Sequence, residues 1–371
     1  MSPDELPPRS AAAEREAMHH ALALALRGWG RVAPNPLVGA VLLRDGVVVG
    51  EGWHAEHGAP HAEVAALAAC ADPRGATCVT TLEPCTHHGK TPPCTDALIA
   101  AGVARVVIAV RDPHPDARGG AERLRAAGIE VEVGLLAREA ATLNAPFLWA
   151  TTRPGRPFVA VKLAQSLDGF IADAEGRSQW ISGAEARDWV HWVRAGYDAI
   201  AVGRRTALRD DPQLTVRGDT EPRVPPARVV FAGRGEVRSS LRCFEPDAPG
   251  RAMLLTHPDV AVLRNAAVPK HVTVLSAATP DEALTRLWSE GIRSVLVEGG
   301  GTLVGNLLDA DLVDRVYAVT APLWLGQGTP AFGRRRPTPL GSAPSWETVE
   351  RQSLGPDTLV VTDRDLCLPA L

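Results

Sequence analysis

The chain has 371 residues, 45% hydrophobic and 22% charged, ordinary proportions for a globular protein long enough for two or three domains. Its 39 basic and 43 acidic side chains leave a formal charge of −4, which argues against a broad nucleic-acid or anionic-membrane surface. No apolar stretch approaches bilayer-spanning length, and the opening MSPDELPPRSAAAERE lacks the apolar core of a secretory signal, so a soluble cytoplasmic protein is expected.

Residues 1–10 read as a disordered tail, and 11–27 as an Ala/Leu-rich helix. In VAPNPLVGAVLLRDGVVVGEGWH, two β-rich runs flank Asp45-Gly46, the signature of a hairpin. PHAEVAALAACA reads as a helix starting at or just before His61, and TCVTTLEPC as a strand running into a loop. TPPCTDALIAAG is a helix with a proline-marked start. RVVIAV, AERLRAAG and IEVEVGL then read as strand, helix and strand, a layered α/β pattern with a partly parallel sheet. NAPFLWATTRPGRP, with three prolines and a glycine, breaks the pattern. The linker is placed at 148–157, between a first domain at 11–147 and a second at 158–371.

The second half opens with FVAVKLAQSLDGFIA, two strand-like pieces joined at Leu167-Asp168-Gly169. Ala184–Arg194 is an amphipathic helix, DAIAVGRRT a strand into a turn, and ALRDDPQLTVRG a polar loop. ARVVFA, AMLLT and HVTVL are short strands, and DEALTRLWSEG is a helix ended by Gly291. SVLVEGGGTLVGNLLDA gives a buried strand, a triple-glycine turn and a helix, and RVYAVTAPLWLG closes the domain. Glycines at that strand end let backbone N–H groups approach a phosphate closely, although the G-x-G-x-x-G dinucleotide fingerprint is absent. Lys162 lies inside an apolar strand, where a charged end needs a purpose or an escape route. His54, His57 and His191 read as packing or surface residues.

The chemistry concentrates at two helix starts of the first half. His61, Cys85 and Cys94 offer one imidazole and two thiolates, a donor set suited to Zn²⁺. Three protein ligands leave the fourth position open, as a catalytic zinc requires. Glu63, two residues from His61, is placed to shuttle a proton. H-x-E…P-C-x-x-C is the pattern of zinc nucleobase deaminases, from which this chain departs by the eight residues THHGKTPP between its cysteines. His87 or His88 are alternative ligands. An isolated His-x-Glu is common and the thiols could be core residues; their order and joint placement at helix starts carry the zinc reading. The other four cysteines, Cys70, Cys78, Cys243 and Cys367, read as buried small hydrophobes. Asn35, between two prolines, reads as an amide that orients a heterocycle, or as a turn residue. The only lysines are Lys90, Lys162 and Lys270 and the only asparagines Asn35, Asn144, Asn265 and Asn306, so those that remain are expected where chemistry needs them.

Both halves together resemble the bifunctional deaminase-reductase family of riboflavin biosynthesis, over about residues 11–330. The resemblance lies in PNPLVGAVL, PHAE, TLEPCTHHGKTPPC and RDPHP, then in VKLAQSLDG, SQWISG, DDPQLTVR and VEGGGTL. The eight-residue insert between the cysteines is this family's pattern. The resemblance implies a cytidine-deaminase-like three-layer domain followed by a dihydrofolate-reductase-like α/β domain. It implies zinc-dependent deamination of a diaminopyrimidinone carrying a phosphoribosylamino arm, then NADPH-dependent reduction of the ribose to a ribityl chain. By position, Ala164, Trp180, Thr206, Asp210 and the run Gly300, Gly301, Thr302, Leu303, Val304, Gly305 and Asn306 correspond to NADP contacts. Ser178, Arg194, Leu214, Arg217 and Glu298 correspond to substrate contacts, with Lys162 as a further anchor. A homo-oligomer is implied on family grounds. ARVVFAGRGE lacks the aspartate the family usually carries after that strand, and the segment following Arg217 diverges. The competing readings are a zinc deaminase of a nucleic-acid base, which the charge of −4 disfavours, and a regulatory relative with one catalytic half lost.

Overall fold

A computed structural model describes residues 11–88, 92–260, 268–333 and 338–365; the expected tail 1–10, Lys90 and Cys367 lie outside them. The chain divides into two compact units, one ending at Thr152 and one spanning Arg153–Asp365.

In the first unit the elements run α1 (Ala11–Ala25), β1 (Gly39–Arg44), β2 (Val47–Trp53), α2 (Ala62–Ala68), β3 (Thr77–Leu82), α3 (Cys94–Ala100), β4 (Arg105–Val110), α4 (Gly120–Ala126), β5 (Glu130–Val133), α5 (Ala137–Leu143) and α6 (Ala145–Thr152). Asp45 and Gly46 both adopt positive φ, 51° and 78°, so the β1–β2 hairpin closes on the turn whose twist matches its strands. The sheet order is β2-β1-β3-β4-β5, antiparallel through β3 and parallel from β3 to β5. β4 is buried along its whole length, as a central strand covered on both faces must be. Met18, Ala21, Leu24 and Ala25 form the buried stripe of α1, and the helices α2, α3 and α4 add Ala62, Ala66, Leu98 and Leu124 to the core. Arg105 ties α1 to the sheet by donating to Glu14 at 2.8 Å and by pairing with Glu130 and Glu132.

The expected linker is corrected over 148–152, which belong to α6 with Leu148 and Trp149 buried. Pro146 falls in the first turn of that helix, where its missing N–H costs no hydrogen bond. Just ahead of it, Asn144 accepts from the Leu37 N–H at 2.8 Å and donates to the Leu37 carbonyl at 2.9 Å.

The second unit runs β6 (Phe158–Ser166), β7 (Phe170–Ala172), α7 (Ala184–Ala195), β8 (Ala199–Gly203), α8 (Arg204–Asp210), β9 (Ala227–Gly233), β10 (Ala252–Thr256), β11 (Thr273–Ser276), α9 (Pro280–Ser289), β12 (Ser294–Glu298), α10 (Gly301–Asp309), β13 (Arg315–Ala321), β14 (Thr329–Pro330), β15 (Glu347–Leu354) and β16 (Asp357–Asp363). Its nine-stranded sheet has the order β11-β10-β9-β8-β12-β6-β13-β16-β15, parallel as far as β13 and antiparallel beyond; β7 pairs with β14. Two expectations change here. Residues 204–210, expected as a turn running into a polar loop, are helical. RVYAVTAPLWLG does not close the domain, because β15 and β16 extend the sheet past β13. A buried ion pair fastens that addition: Arg315 donates to both oxygens of Asp363 at 2.6 and 2.7 Å. No helix among the described residues is long and apolar enough to cross a membrane.

Candidate functional site

The first site forms where α2 and α3 begin. His61 is the extended residue that caps α2, and Glu63 lies in the first turn, 3% exposed. The close approach of α2 to β2 depends on Gly52, where a Cβ would stand 2.4 Å from the Ala66 nitrogen. Cys94 is the first residue of α3, and Cys85 follows β3 in a loop whose carbonyl accepts from the Thr95 hydroxyl at 3.1 Å. The fold thereby gathers His61 Nδ1, Cys85 Sγ and Cys94 Sγ within 4.8 Å of one another. His61 Nδ1 is 3.2 Å from Cys94 Sγ and 3.6 Å from Cys85 Sγ. A tetrahedral zinc with bonds of about 2.0–2.3 Å spaces its ligand atoms roughly 3.3–3.8 Å apart, so both the donor types and their spacing fit the metal. His87 and His88 are exposed and stand outside this cluster.

Hydrogen bonds from Cys94 and His61 favour the Cys85 thiolate and hold it below the ordinary thiol range, against burial. Burial pushes the Glu63 carboxyl above its ordinary range. Three residues to which the motif reading gave no role complete the surroundings. His54, 2% exposed, packs edge-on to the His61 ring, its Nδ1 3.1 Å from the Pro60 carbonyl and its Nε2 3.1 Å from Asn35 Nδ2. Glu83 accepts from the backbone N–H groups of Ala121 and Asp112 at 2.9 and 3.0 Å. Asp112, pushed up to about 6 by burial, accepts from the His114 N–H at 2.8 Å.

The second site is a cavity of about 1400 Å³ in the second unit. It opens at the C-terminal ends of the parallel strands, the usual place for a ligand in an open α/β sheet. Gly299 and Gly300, at φ 75° and 83°, turn the chain from β12 into α10, and a Cβ on Gly300 would reach 2.9 Å from the Thr206 hydroxyl. Ala164, Trp180, Thr206, Asp210, Gly300, Gly301, Thr302, Leu303, Gly305 and Asn306 all line the cavity. Val304 does not: it lies on the opposite side of α10, fully buried in the core. Trp180 is 69% exposed, and the Arg187 guanidinium sits 4.7 Å from the centre of its ring.

Lys162, Ser178, Arg194, Leu214, Arg217 and Glu298 line the same cavity. Lys162 and Glu298 are register partners on β6 and β12. Burial lowers the Lys162 ammonium, against the pull of Glu298. Arg194 donates to both Glu298 oxygens, at 2.6 and 2.7 Å. Against the upward push of burial, that guanidinium holds Glu298 below the ordinary carboxylate range. His191, read from the sequence as packing or surface, stands in the cavity wall between Arg194 and Arg217.

A His-Cys-Cys centre with a buried glutamate, followed in the chain by a strand-end cavity with a glycine turn, defines a metal-dependent deaminase domain joined to a nucleotide-dependent reductase domain. Comparison with known proteins agrees. The cytidine and deoxycytidylate deaminase zinc-binding region matches residues 12–110, and the RibD C-terminal domain matches 157–360. The riboflavin biosynthesis protein RibD of Escherichia coli is 41% identical over 362 residues, covering 92% of this chain and 96% of that protein. Among solved structures, a diaminohydroxyphosphoribosylaminopyrimidine deaminase/5-amino-6-(5-phosphoribosylamino)uracil reductase from Thermotoga maritima superimposes with a TM-score of 0.80 at 38% identity, over 95% of this chain and 99% of that one. RibD of Acinetobacter baumannii gives 0.78 at 36% identity, with the same coverage. The chain belongs to the RibD family of bifunctional riboflavin-biosynthesis enzymes, with a zinc-binding deaminase domain and an NADPH-dependent reductase domain.

Proposed function

We propose that the two sites act in succession on one pyrimidine ribotide. The first removes an amino group from 2,5-diamino-6-(5-phosphoribosylamino)pyrimidin-4(3H)-one, and the second reduces the ribosyl arm to a ribityl chain. The convergence of His61, Cys85 and Cys94 around one point, with Glu63 buried beside it, carries this reading. These three side chains hold the zinc. When bound, zinc lowers the pKa of water at its open position towards neutrality. Glu63 takes up the proton that this releases and delivers it to the departing amine; a carboxyl raised by burial is suited to both transfers. With its Nδ1 proton donated to the Pro60 carbonyl, His54 has Nε2 free to accept from the Asn35 amide. That bond fixes the amide that orients the pyrimidine.

In the reductase site, the Gly300–Asn306 turn and helix hold the cofactor together with Ala164, Trp180, Thr206 and Asp210, while the Val304 side chain acts from the core. NADPH, when bound, supplies the hydride. Lys162, Ser178, Leu214, Arg217 and the Arg194–Glu298 pair hold the sugar and its phosphate. The reading extends to a cytoplasmic homo-oligomer, which sedimentation of the purified protein and cell fractionation test.

The deciding experiment follows ammonia release and nicotinamide absorbance on zinc-replete protein with the diaminopyrimidinone ribotide. Ammonia without NADPH, and NADPH oxidation only after deamination, is the expected result. Ammonia without any NADPH oxidation would refute the reductase half. Absence of ammonia, or deamination of a polynucleotide in its place, would refute the first half.

A further inference from the structure

Among the arginines that line the reductase cavity, Arg194 and Arg217 flank His191 and are held in opposite ways. Arg194 closes its two-bond pair on Glu298 and donates a third bond to the Thr215 carbonyl at 2.8 Å. Its charge is neutralised within the protein. Arg217 meets no carboxylate among the described residues; it meets His191. The Arg217 backbone N–H lies 3.1 Å from His191 Nδ1, and its guanidinium nitrogens lie 3.4 and 3.3 Å from His191 Nε2. A neutral imidazole has one acceptor nitrogen. With the ring proton on Nδ1, Nε2 accepts from the guanidinium; with it on Nε2, Nδ1 accepts from the Arg217 backbone N–H and holds the residue by its main chain, beside Arg194 Nη1 at 3.4 Å.

The choice of partner has an electrostatic consequence. A carboxylate would orient the guanidinium but cancel its charge and repel an incoming anion. An uncharged acceptor orients it and leaves the positive charge in place. We propose that His191 is a positioning residue that holds Arg217 in the cavity as an uncompensated cation for the phosphate of the ribotide. This rests on the assignment of Arg217 to the substrate phosphate made above.

The surroundings keep the ring uncharged. Burial, then Arg194 on the same helix and Arg217 on the facing loop, depress the imidazole to about 4, against Glu298 of β12 and Asp188 of α7. His191 therefore stays a neutral acceptor across the working pH range.

The test compares the deaminated ribotide with the same compound lacking its phosphate, in full-length enzyme, with NADPH affinity by fluorescence as the check on folding. R217A raises the KM for the ribotide about 10–100-fold and leaves the dephosphorylated compound nearly unchanged, the scale of one charge-assisted contact. H191A raises the ribotide KM about tenfold, with kcat much less affected and the dephosphorylated compound again spared. H191E, which supplies the cancelling carboxylate, is worse than H191A. H191N replaces the Nδ1 acceptor and H191Q the Nε2 acceptor, and one of them restores the ribotide KM. Equal loss on both compounds, H191E no worse than H191A, or rescue by neither amide overturns the proposal. If R217A itself shows no phosphate-dependent loss, the assignment of Arg217 is what fails; if R217A behaves as stated and the His191 variants do not, only the positioning role fails.

Discussion

Glu63 combines two properties that a proton shuttle needs, a fixed place on the first turn of α2 and a carboxyl raised by burial. E63Q keeps the shape and the three donors but has no proton to carry. It is expected to retain zinc while ammonia release falls at least about 100-fold, the lower end for a lost general acid-base. Wild-type turnover by a zinc-replete E63Q would remove Glu63 from the mechanism. C94S tests the donor set in the same way: zinc per chain, measured by atomic absorption, drops well below one, whereas full zinc would transfer the third position to another residue. Residues of this kind were legible in the sequence because a metal site demands particular side chains at particular places. His54 and His191 were not. A single histidine carries no signal until the fold sets it against His61 in one case and between two arginines in the other. Val304 shows the converse: a contiguous motif on a helix presents only part of itself to the cavity, and the rest faces the core.

The element that positions His61 and Glu63 is α2, and its seat on β2 requires a residue without a side chain at Gly52. G52A drives a methyl group into the α2 backbone, and overpacking of this sort costs about 1–3 kcal/mol. A lower thermal midpoint together with reduced zinc content is expected; a lowered midpoint with full zinc would show that α2 tolerates the shift without moving its ligands. Strongly patterned elements such as β4, α7 and β12 are legible at nearly their observed bounds. Elements without a buried stripe or run are not. RRTALRD buries only Ala207 and so carries no helical stripe. The prolines around α6 read as a break, although one of them sits where a helix tolerates it. β15 is an edge strand with mostly exposed side chains, so its pairing shows only once β16 and the Arg315–Asp363 bridge are in place.

On the scale of the whole molecule, the half-buried histidine of the reductase cavity makes stability depend on pH. In the unfolded chain His191 takes its proton near 6.5; in the fold it does so near 4. Between those values the unfolded chain holds more protons, so acidification favours unfolding. Stability of the Arg153–Asp365 unit is expected to fall as pH drops from about 6.5 to 4, with that contribution fully lost below 4. Thermal unfolding of wild type and H191Q at pH 7 and pH 5 isolates the effect, because the variant has no imidazole to protonate. Parallel curves with the same pH dependence would contradict it.

The sequence by itself determined the two-domain order and the α/β class and singled out candidate residues for both sites, because a His-Cys-Cys donor set, a glycine turn and alternating strand and helix patterns are local properties of the chain. The tertiary structure decided what depends on distance between remote segments. It brought Cys85 and Cys94 to His61, turned Arg194 onto Glu298 and set Arg217 against His191. It also carried the sheet two strands beyond the point where the sequence pattern stops. Charge compensation and burial are sums over neighbours that no single stretch of sequence contains.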